Sequence, residues 1–459
     1  MQKSVHEVLE SQKNYFKTGE SLSYEFRIKQ LKLLKQSILN HEQELYQALN
    51  QDLGKCETEG YMSEIGFVLN SISEMSKKLK KLMKPKHVVS PLYLFPIKSK
   101  VAYDPYGCVL IIGPYNYPVQ LVLEPLIGVI AAGNCAIIKP SEMSEHTSLV
   151  IKAIIEDVFK PEYIKVFLGE VEMTQSLLKE RFDYIFFTGS VGVGKKVMSA
   201  AANHLTPLTL ELGGKSPVIV ERSADIKKTA MRIIWGKLMN AGQTCVAPDY
   251  ILVDQCIEEK LVEALIESIN QLYGLNIKEN KDYGKIINER HFKRIVSLID
   301  DPSITLLHGG DYDLSALYIE PTIMKVDRYS KVMAEEIFGP LLPIMTYQSI
   351  NEAIDYINNN EKPLALYLFT QNNKIKKQIL SNTTSGGVSI NDTITHLVNT
   401  HLPFGGVGYS GMGQYHGIYS FLTFSHVKGV VEKSNKLNLT IAYPPYSDKK
   451  LKLIKKIMK

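Results

Sequence analysis

Three residues stand where the surrounding sequence gives them no ordinary structural reason. Cys245 lies in "NAGQTCVAPDY", among Gly242, Gln243, Thr244 and Pro248 rather than the Leu, Ile and Val that usually enclose a structural thiol. Such a setting leaves room for a reactant beside a soft nucleophile. Glu211 in "LTLELGGK" interrupts an apolar strand-like run just before two glycines. A lone acid in a strand is ordinarily an edge residue facing water. Flanked by Leu210 and Leu212, it also fits a partly buried general base whose pKa burial would raise. Asn116 in "GPYNYP" falls in a turn at the end of the "CVLIIG" run. A Cys–His hydrolase is a second arrangement, with His416 or His426 as the imidazole, although lone histidines in a long chain are mostly structural.

Two glycine-rich stretches look like phosphate loops. "FFTGSVGVGKK" follows a strand-like run and opens a helix, with Gly189, Gly194 and Lys195 at fixed positions of a P-loop. Residue 196 is Lys, so the hydroxyl that would hold Mg²⁺ is missing. Backbone N–H groups at the start of that helix still attract a phosphate. A tight turn that needs glycines is the purely structural alternative. "GGVGYSGMG" contains GxGxxG at Gly406, Gly408 and Gly411, but no clear strand precedes it and no regular helix follows. It reads as a loop close to a partner segment or cleft.

The elements that must position these residues follow from periodicity. Residues 3–50 and 61–84 carry helical apolar spacing in a Lys/Glu background, for example Leu31, Leu34 and Ile38. The Pro-rich span "KPKHVVSPLYLFPIK" predicts extended chain. From Cys108, the runs "CVLIIG", "CAIIKP", "IKVFLG" and "YIFFTGS" alternate with helical segments. A second series starts with "SPVIV" and "YILVDQ" and continues through "PLLPIMTY", "ALYLFT" and "GGVSIND". Alternating strands and helices predict parallel sheets covered on both faces. Two series in a chain of 459 residues predict two α/β domains with a cleft between them.

Composition excludes several classes. Apolar residues make up 45% and charged residues 22%, an ordinary globular balance. The net charge of +5 rests on 53 basic residues, of which seven are Arg, without the Arg clusters and stacking aromatics of a nucleic-acid groove. No nucleic-acid partner is expected. The start "MQKSVHEVLESQKNYF" has no apolar core of a signal peptide. Five cysteines without a CxxC pair predict reduced thiols, a cytoplasmic location and no metal site.

Seven motifs, "IIGPYNYP", "AAGNCAIIKPSE", "FFTGSVGVGK", "LELGGKSP", "NAGQTCVAPDY", "EEIFGP" and "LPFGGVGYSGMG", occur over residues 111–413 in the order of the aldehyde dehydrogenase superfamily. The chain resembles that family, and its variants "YNYP", "CVAPDY" and "GMGQYHG…SFLTFSH" resemble the class 3 branch of fatty and aromatic aldehyde dehydrogenases. The resemblance implies an α/β fold with a cofactor-binding domain over 1–210, a catalytic domain over 211–395, and a segment over 396–459 returning to the first. Residues 86–106 would contribute to a small oligomerisation element, and the class 3 branch implies a homodimer.

By the same resemblance Cys245 is the nucleophile that attacks the aldehyde carbon. Asn116 and the backbone N–H of Cys245 hold the oxyanion, and Glu211 activates the water that hydrolyses the thioester. The product is then a carboxylic acid, and the implied substrate is a long-chain or apolar aldehyde (fatty, aromatic or polyene). The cofactor is NAD, with NADP possible in this branch. Lys139 and Glu142 match residues at the adenosine ribose, where Glu142 disfavours a 2′-phosphate. Gly189, Ser190 and Gly194 match the turn beside the pyrophosphate, and Glu336 and Phe338 match residues at the nicotinamide ribose and ring. Tyr115 replaces a common Trp and Tyr409 a common small residue, departures that bear on the substrate funnel. A non-catalytic NAD(P)-binding protein on the same fold would be expected to have lost Cys245, Glu211 or Asn116, and a cysteine esterase would not need the cofactor motifs. The tail "SDKKLKLIKKIMK" groups Leu451, Ile454, Ile457 and Met458 near one helical face among lysines. It reads as a solvated tail or as a weak membrane-surface contact.

Overall fold

The computed structural model describes residues 4–437 and 439–458. The first strand series builds a six-stranded sheet. Its spatial order is Gly411–Met412, Leu208–Leu212, Tyr184–Gly189, Cys108–Ile112, Cys135–Lys139 and Ile164–Val166. All neighbours are parallel except the short first strand. The second series builds a seven-stranded sheet, ordered Thr305–His308, Thr322–Lys325, Leu341–Tyr347, Tyr250–Asp254, Pro217–Val220, Ala365–Phe369 and Gly387–Ile390. It too is parallel apart from its first pair.

Strands such as Cys108–Ile112 and Cys135–Lys139 are apolar in near-continuous runs because helices cover both faces, and every residue in them is buried. The helix Gln120–Ala132 is buried along its whole length and ends at Gly133, whose φ of +91° only glycine adopts easily. A Cβ there would also meet the Arg27 guanidinium at 2.5 Å, and that guanidinium donates to Ala131 O and Ser21 O. The N-terminal helix Val5–Lys17 packs on this sheet, and Tyr24–Asn40, Glu42–Leu53 and Gly66–Leu82 pack on the helices that cover it, with Leu31, Leu34 and Ile38 buried in the shared core. Between them, Tyr61–Ile65 forms a π-helical turn that periodicity did not foretell.

The Pro-rich span contributes an extended arm. Lys86–Val88, Ile97–Pro105 and Ser425–Lys433 form an antiparallel three-stranded sheet. The GxGxxG loop is a partner loop, as its flanks suggested. Gly411 pairs with Glu211 on the edge of the six-stranded sheet, and a Cβ on Gly406 would sit 2.0 Å from Ser410 O. Among the described residues no helix is long and apolar enough to cross a membrane.

Candidate active site

A cleft of about 990 Å³ takes side chains from both large sheets. It is lined by Asn116, Lys139, Glu142, Gly189, Ser190, Glu211, Cys245, Glu336 and Phe338. The exception among the sequence-predicted residues is Gly194. It is buried under its helix, where a Cβ would meet Leu212 Cδ2 at 2.7 Å, so its lack of a side chain serves helix–strand packing.

Cys245 follows a tight turn over Met239–Gly242. Asn240 and Ala241 both hold left-handed backbone angles there, and a Cβ on Gly242 would overlap Gly339 O at 2.2 Å. The thiol is open to the cleft and enclosed elsewhere. Burial pushes it above the usual thiol range, and the nearby Glu336 and Glu211 carboxyls add to the rise. The backbone N–H groups of Cys245 and Val246 oppose it.

Glu211 is 3% exposed, and neither carboxyl oxygen has a hydrogen-bond partner among the described residues. Burial alone holds its pKa well above the carboxylate range. Glu336 is raised to about 8 by burial and then by Asp249, against the Gly214 N–H, Lys215 and Arg294. Three groups lining one cleft thus bind protons more tightly than usual, and of these Glu336, at about 8, is the one placed for proton exchange near neutral pH. Asn116 Nδ2 donates to Gln243 O at 2.9 Å, leaving its other N–H available to a reacting oxygen. Tyr117 and Thr244 join hydroxyls at 2.7 Å, tying the Asn116 turn to the Cys245 loop.

The remaining lining suits a nicotinamide dinucleotide. Ser190 caps the helix Val191–Ala202 by accepting from Val193 N, and the opening turn of that helix lines the cleft. A Cβ on Gly192 would meet nothing within 4 Å, so this helix start is open to a phosphate. Lys139 Nζ donates to Pro140 O and pairs with Glu142 at 3.0 Å. Phe338, at φ +50°, packs edge-on to Tyr115 with centroids 5.9 Å apart.

Sequence reasoning missed what holds the Glu336–Phe338 loop. Lys215 Nζ donates to Val332 O and Glu335 O and pairs with Asp249. Asp249 accepts from Ile337 N at 3.0 Å, and Arg294 donates to Glu336 O and Ile337 O. Lys215 and Asp249 lie inside the motifs "LELGGKSP" and "NAGQTCVAPDY", so a signal for them was present. Neither histidine serves the thiol. His416 is buried against Phe404, its Nδ1–H donates to Leu397 O, and it is pushed down to about 3 by burial, while His426 lies on the exposed arm.

Comparison with known proteins agrees with this geometry. The aldehyde dehydrogenase family model matches residues 1–430. The 4,4′-diaponeurosporen-aldehyde dehydrogenase of Staphylococcus aureus is 50% identical over 97% of this chain and 97% of its own length. The rat (Rattus norvegicus) "aldehyde dehydrogenase, dimeric NADP-preferring" is 45% identical over 96% of this chain and 98% of its own. The solved structure of the substrate-bound state of Staphylococcus aureus AldH superposes with a TM-score of 0.98 at 48% identity, covering both chains completely. Motif order, cleft and near-complete coverage converge, and the chain belongs to the aldehyde dehydrogenase family, the NAD(P)-dependent oxidoreductases that oxidise aldehydes.

Proposed function

We propose that Cys245 is the nucleophile, Asn116 the oxyanion donor and Glu211 the base, acting on a long, apolar aldehyde. The observation that carries this reading is the meeting of an accessible thiol, an amide with one free N–H and an unpartnered buried carboxyl in one cleft. The Cys245 thiol loses its proton to a neighbouring carboxylate, and its sulfur bonds to the aldehyde carbon as the C=O π pair moves onto oxygen. Asn116 Nδ2–H and the Cys245 N–H hold that oxygen, donors of a kind worth about 3–4 kcal/mol each when aimed at the developing charge. Lys139, Glu142, Gly189, Ser190, Glu336 and Phe338 are the proposed contacts for NAD(P)⁺, which would supply the hydride acceptor; the C–H bond of the adduct breaks as the oxygen pair re-forms C=O, and a thioester is left on Cys245. Glu211 then takes a proton from water as the water oxygen attacks the thioester carbon. The C–S bond breaks, the sulfur regains a proton, and the carboxylic acid leaves.

The relative named for 4,4′-diaponeurosporen-aldehyde supports a polyene or similarly apolar substrate. So do Tyr115, Leu121, Phe338 and Tyr409 in the cleft wall. Spectrophotometric NADH or NADPH formation with aldehydes from acetaldehyde to long-chain and polyene substrates tests it. We expect kcat/KM to rise with chain length, each buried CH₂ contributing about 0.8 kcal/mol. Acetaldehyde used as well as the longest substrate would overturn the substrate class and leave the chemistry standing.

A division of the chain into units over 1–210, 211–395 and 396–459 is supported by the two sheets and by the return of Ser425–Lys433 to the arm, although the strand Leu208–Leu212 runs across the first boundary within the six-stranded sheet. A homodimer is supported by exposed Val89, Leu92 and Phe95 on that arm and by the exposed edge strand Ser425–Lys433. Light scattering that returned the mass of one chain would overturn it. The tail forms a helix, Asp448–Ile457, capped by Ser447, with Leu451, Leu453 and Ile457 exposed among lysines. This supports a reversible contact of a cytoplasmic enzyme with anionic lipid, each basic residue adding about 1 kcal/mol near the surface. Liposome co-sedimentation at low and high salt, against a chain ending at Tyr446, decides. Equal partitioning removes the tail.

A further inference from the structure

None of the seven motifs includes the N-terminal helices, yet a fully buried ion pair from them reaches the reaction pocket. Lys55 lies in the linker between the helices Glu42–Leu53 and Glu57–Gly60, and Glu64 lies on the π-helical turn. Both side chains are fully buried, with Nζ and Oε1 2.6 Å apart. Lys55 Nζ also donates to the backbone carbonyl of Asn116 at 2.9 Å and stands 3.9 Å from the centre of the Tyr117 ring. The other oxygen of Glu64 accepts from Val119 N and Gln120 N, both at 2.9 Å. The pair thus grips the Asn116 turn from both ends.

The same turn is joined to the nucleophile loop. Asn240 Nδ2 donates to the Asn116 carbonyl at 2.8 Å and to Gln243 O at 3.1 Å, while its own N–H goes to Glu59 Oε1. Gln243 O in turn accepts from Asn116 Nδ2, and Gln243 Nε2 donates to Lys285 O. Lys285 N closes the circuit by donating to Leu53 O, next to the Lys55 linker. Every polar contact of Asn116 named here is therefore fixed by one circuit.

We propose that Lys55 and Glu64 are positioning residues of the oxyanion pocket, locking the Asn116 turn so that the free amide N–H points at the oxygen bound over Cys245. This rests on the reading of Asn116 as the oxyanion donor. Displacing a donor by about an ångström costs on the order of a hundredfold in rate. A buried charge stripped of its partner also threatens folding, so the pair must be neutralised together. In Lys55→Met/Glu64→Gln the Met stem still covers the Tyr117 ring and the Gln oxygen still accepts one N–H.

The test compares this double variant with wild type and with Asn116→Ala. We expect kcat for aldehyde oxidation to fall about tenfold to a hundredfold, within the range for a displaced donor. The NADH dissociation constant, read by fluorescence, should stay within about twofold. Iodoacetamide alkylation at Cys245, followed by peptide mass spectrometry, should also keep its rate, because displacement at a saturated carbon builds no oxyanion. A purely structural role would move all three together. A double variant with wild-type kcat overturns the inference, as does one whose alkylation slows as much as its turnover. Should the double variant not fold, Glu64→Asp decides, since it keeps both charges and draws the carboxylate back from Val119 N and Gln120 N, and wild-type kcat there overturns the inference. Wild-type turnover in Asn116→Ala sinks instead the oxyanion reading beneath it.

Discussion

Glu64 and Glu211 are two glutamates almost equally removed from water, at 0% and 3% exposure. Glu64 takes hydrogen bonds from Lys55, Val119 and Gln120. Glu211 takes none among the described residues. A buried carboxyl with both oxygens engaged is a strut, since removing any one donor weakens the hold of the rest. A buried carboxyl with none must find its partner in something that enters, and Glu211 faces the cleft where water and thioester would meet. Lack of a partner does not mark chemistry by itself, however. Glu124 is also buried with an unpartnered Oε2, but it lies within the helix Gln120–Ala132 and outside the cleft. The useful criterion joins two observations: an unsatisfied acid and an open path to it.

The largest expected effect comes from removing the unsatisfied acid in the cleft. Glu211→Gln keeps the shape and cannot accept a proton, so deacylation should slow by about 10²–10⁴-fold while the first turnover survives. Rapid mixing should then show a burst of NADH followed by a slow steady state. The pH dependence carries the sign. Because burial holds the Glu211 proton above the carboxylate range, the acid form dominates at low pH and cannot act as base. Wild-type kcat should climb as pH rises and Glu211 ionises, and Glu211→Gln should lose that climb. Loss of the burst along with turnover would place Glu211 earlier in the reaction, or make it a strut like Glu64.

Glu124→Gln sharpens the contrast from the other side, since it removes an unpartnered buried acid that no substrate reaches. Burial raises Glu124 to about 7, only partly opposed by Ser71. A folded pKa above the unfolded one gives stability that is fully present below the unfolded pKa and is lost as pH rises through about 7. At about 1.4 kcal/mol per unit, the acid costs the folded state at most on the order of 3 kcal/mol in mild alkali. The amide avoids that cost. Urea midpoints of Glu124→Gln should exceed wild type at pH 8.5 and converge towards it near pH 4, with kcat unchanged. A drop in kcat on the scale of Glu211→Gln would break the distinction between the two acids.

Of the three residues proposed for the chemistry, two stand out in the sequence because their context contradicts their type, a thiol among glycine and amide and an acid in an apolar strand; Asn116, an amide in a turn where amides are common, stands out only through its motif. Both strand series were legible because parallel strands buried on two faces spell out apolar runs such as "CVLII" and "YIFFTG". The Lys55–Glu64 strut was not. Lys55 sits in a short linker and Glu64 on a helical turn of ordinary Lys/Glu-rich sequence, and their meaning comes from contacts with the Asn116 turn more than fifty residues on. At Gly194 the motif position suggested a ligand contact, and the fold adds a demand the motif does not spell out, close packing against Leu212.

The smallest effect concerns a pair between the two extremes. Lys139 is 1% exposed and Glu142 32%, so their contact at 3.0 Å is half strut and half open to the cleft. With Glu142 at the adenosine ribose, as proposed, a dinucleotide carrying a 2′-phosphate would bring negative charge to it, and the pairing with Lys139 would offset only part of the repulsion. This supports NAD as the preferred cofactor with NADP accepted, in a family whose rat relative is named NADP-preferring. Glu142→Gln removes the repelling charge and releases Lys139 Nζ towards the phosphate. One partly solvated charge near the surface is worth on the order of 1 kcal/mol, so the NADPH-to-NADH affinity ratio should rise about fivefold. Fluorescence titration with both reduced nucleotides measures it without turnover, and kcat at saturating cofactor should hold. A ratio unchanged within twofold would mean that Glu142 serves only to hold Lys139, which would make this rim pair a strut of the same kind as Lys55 and Glu64.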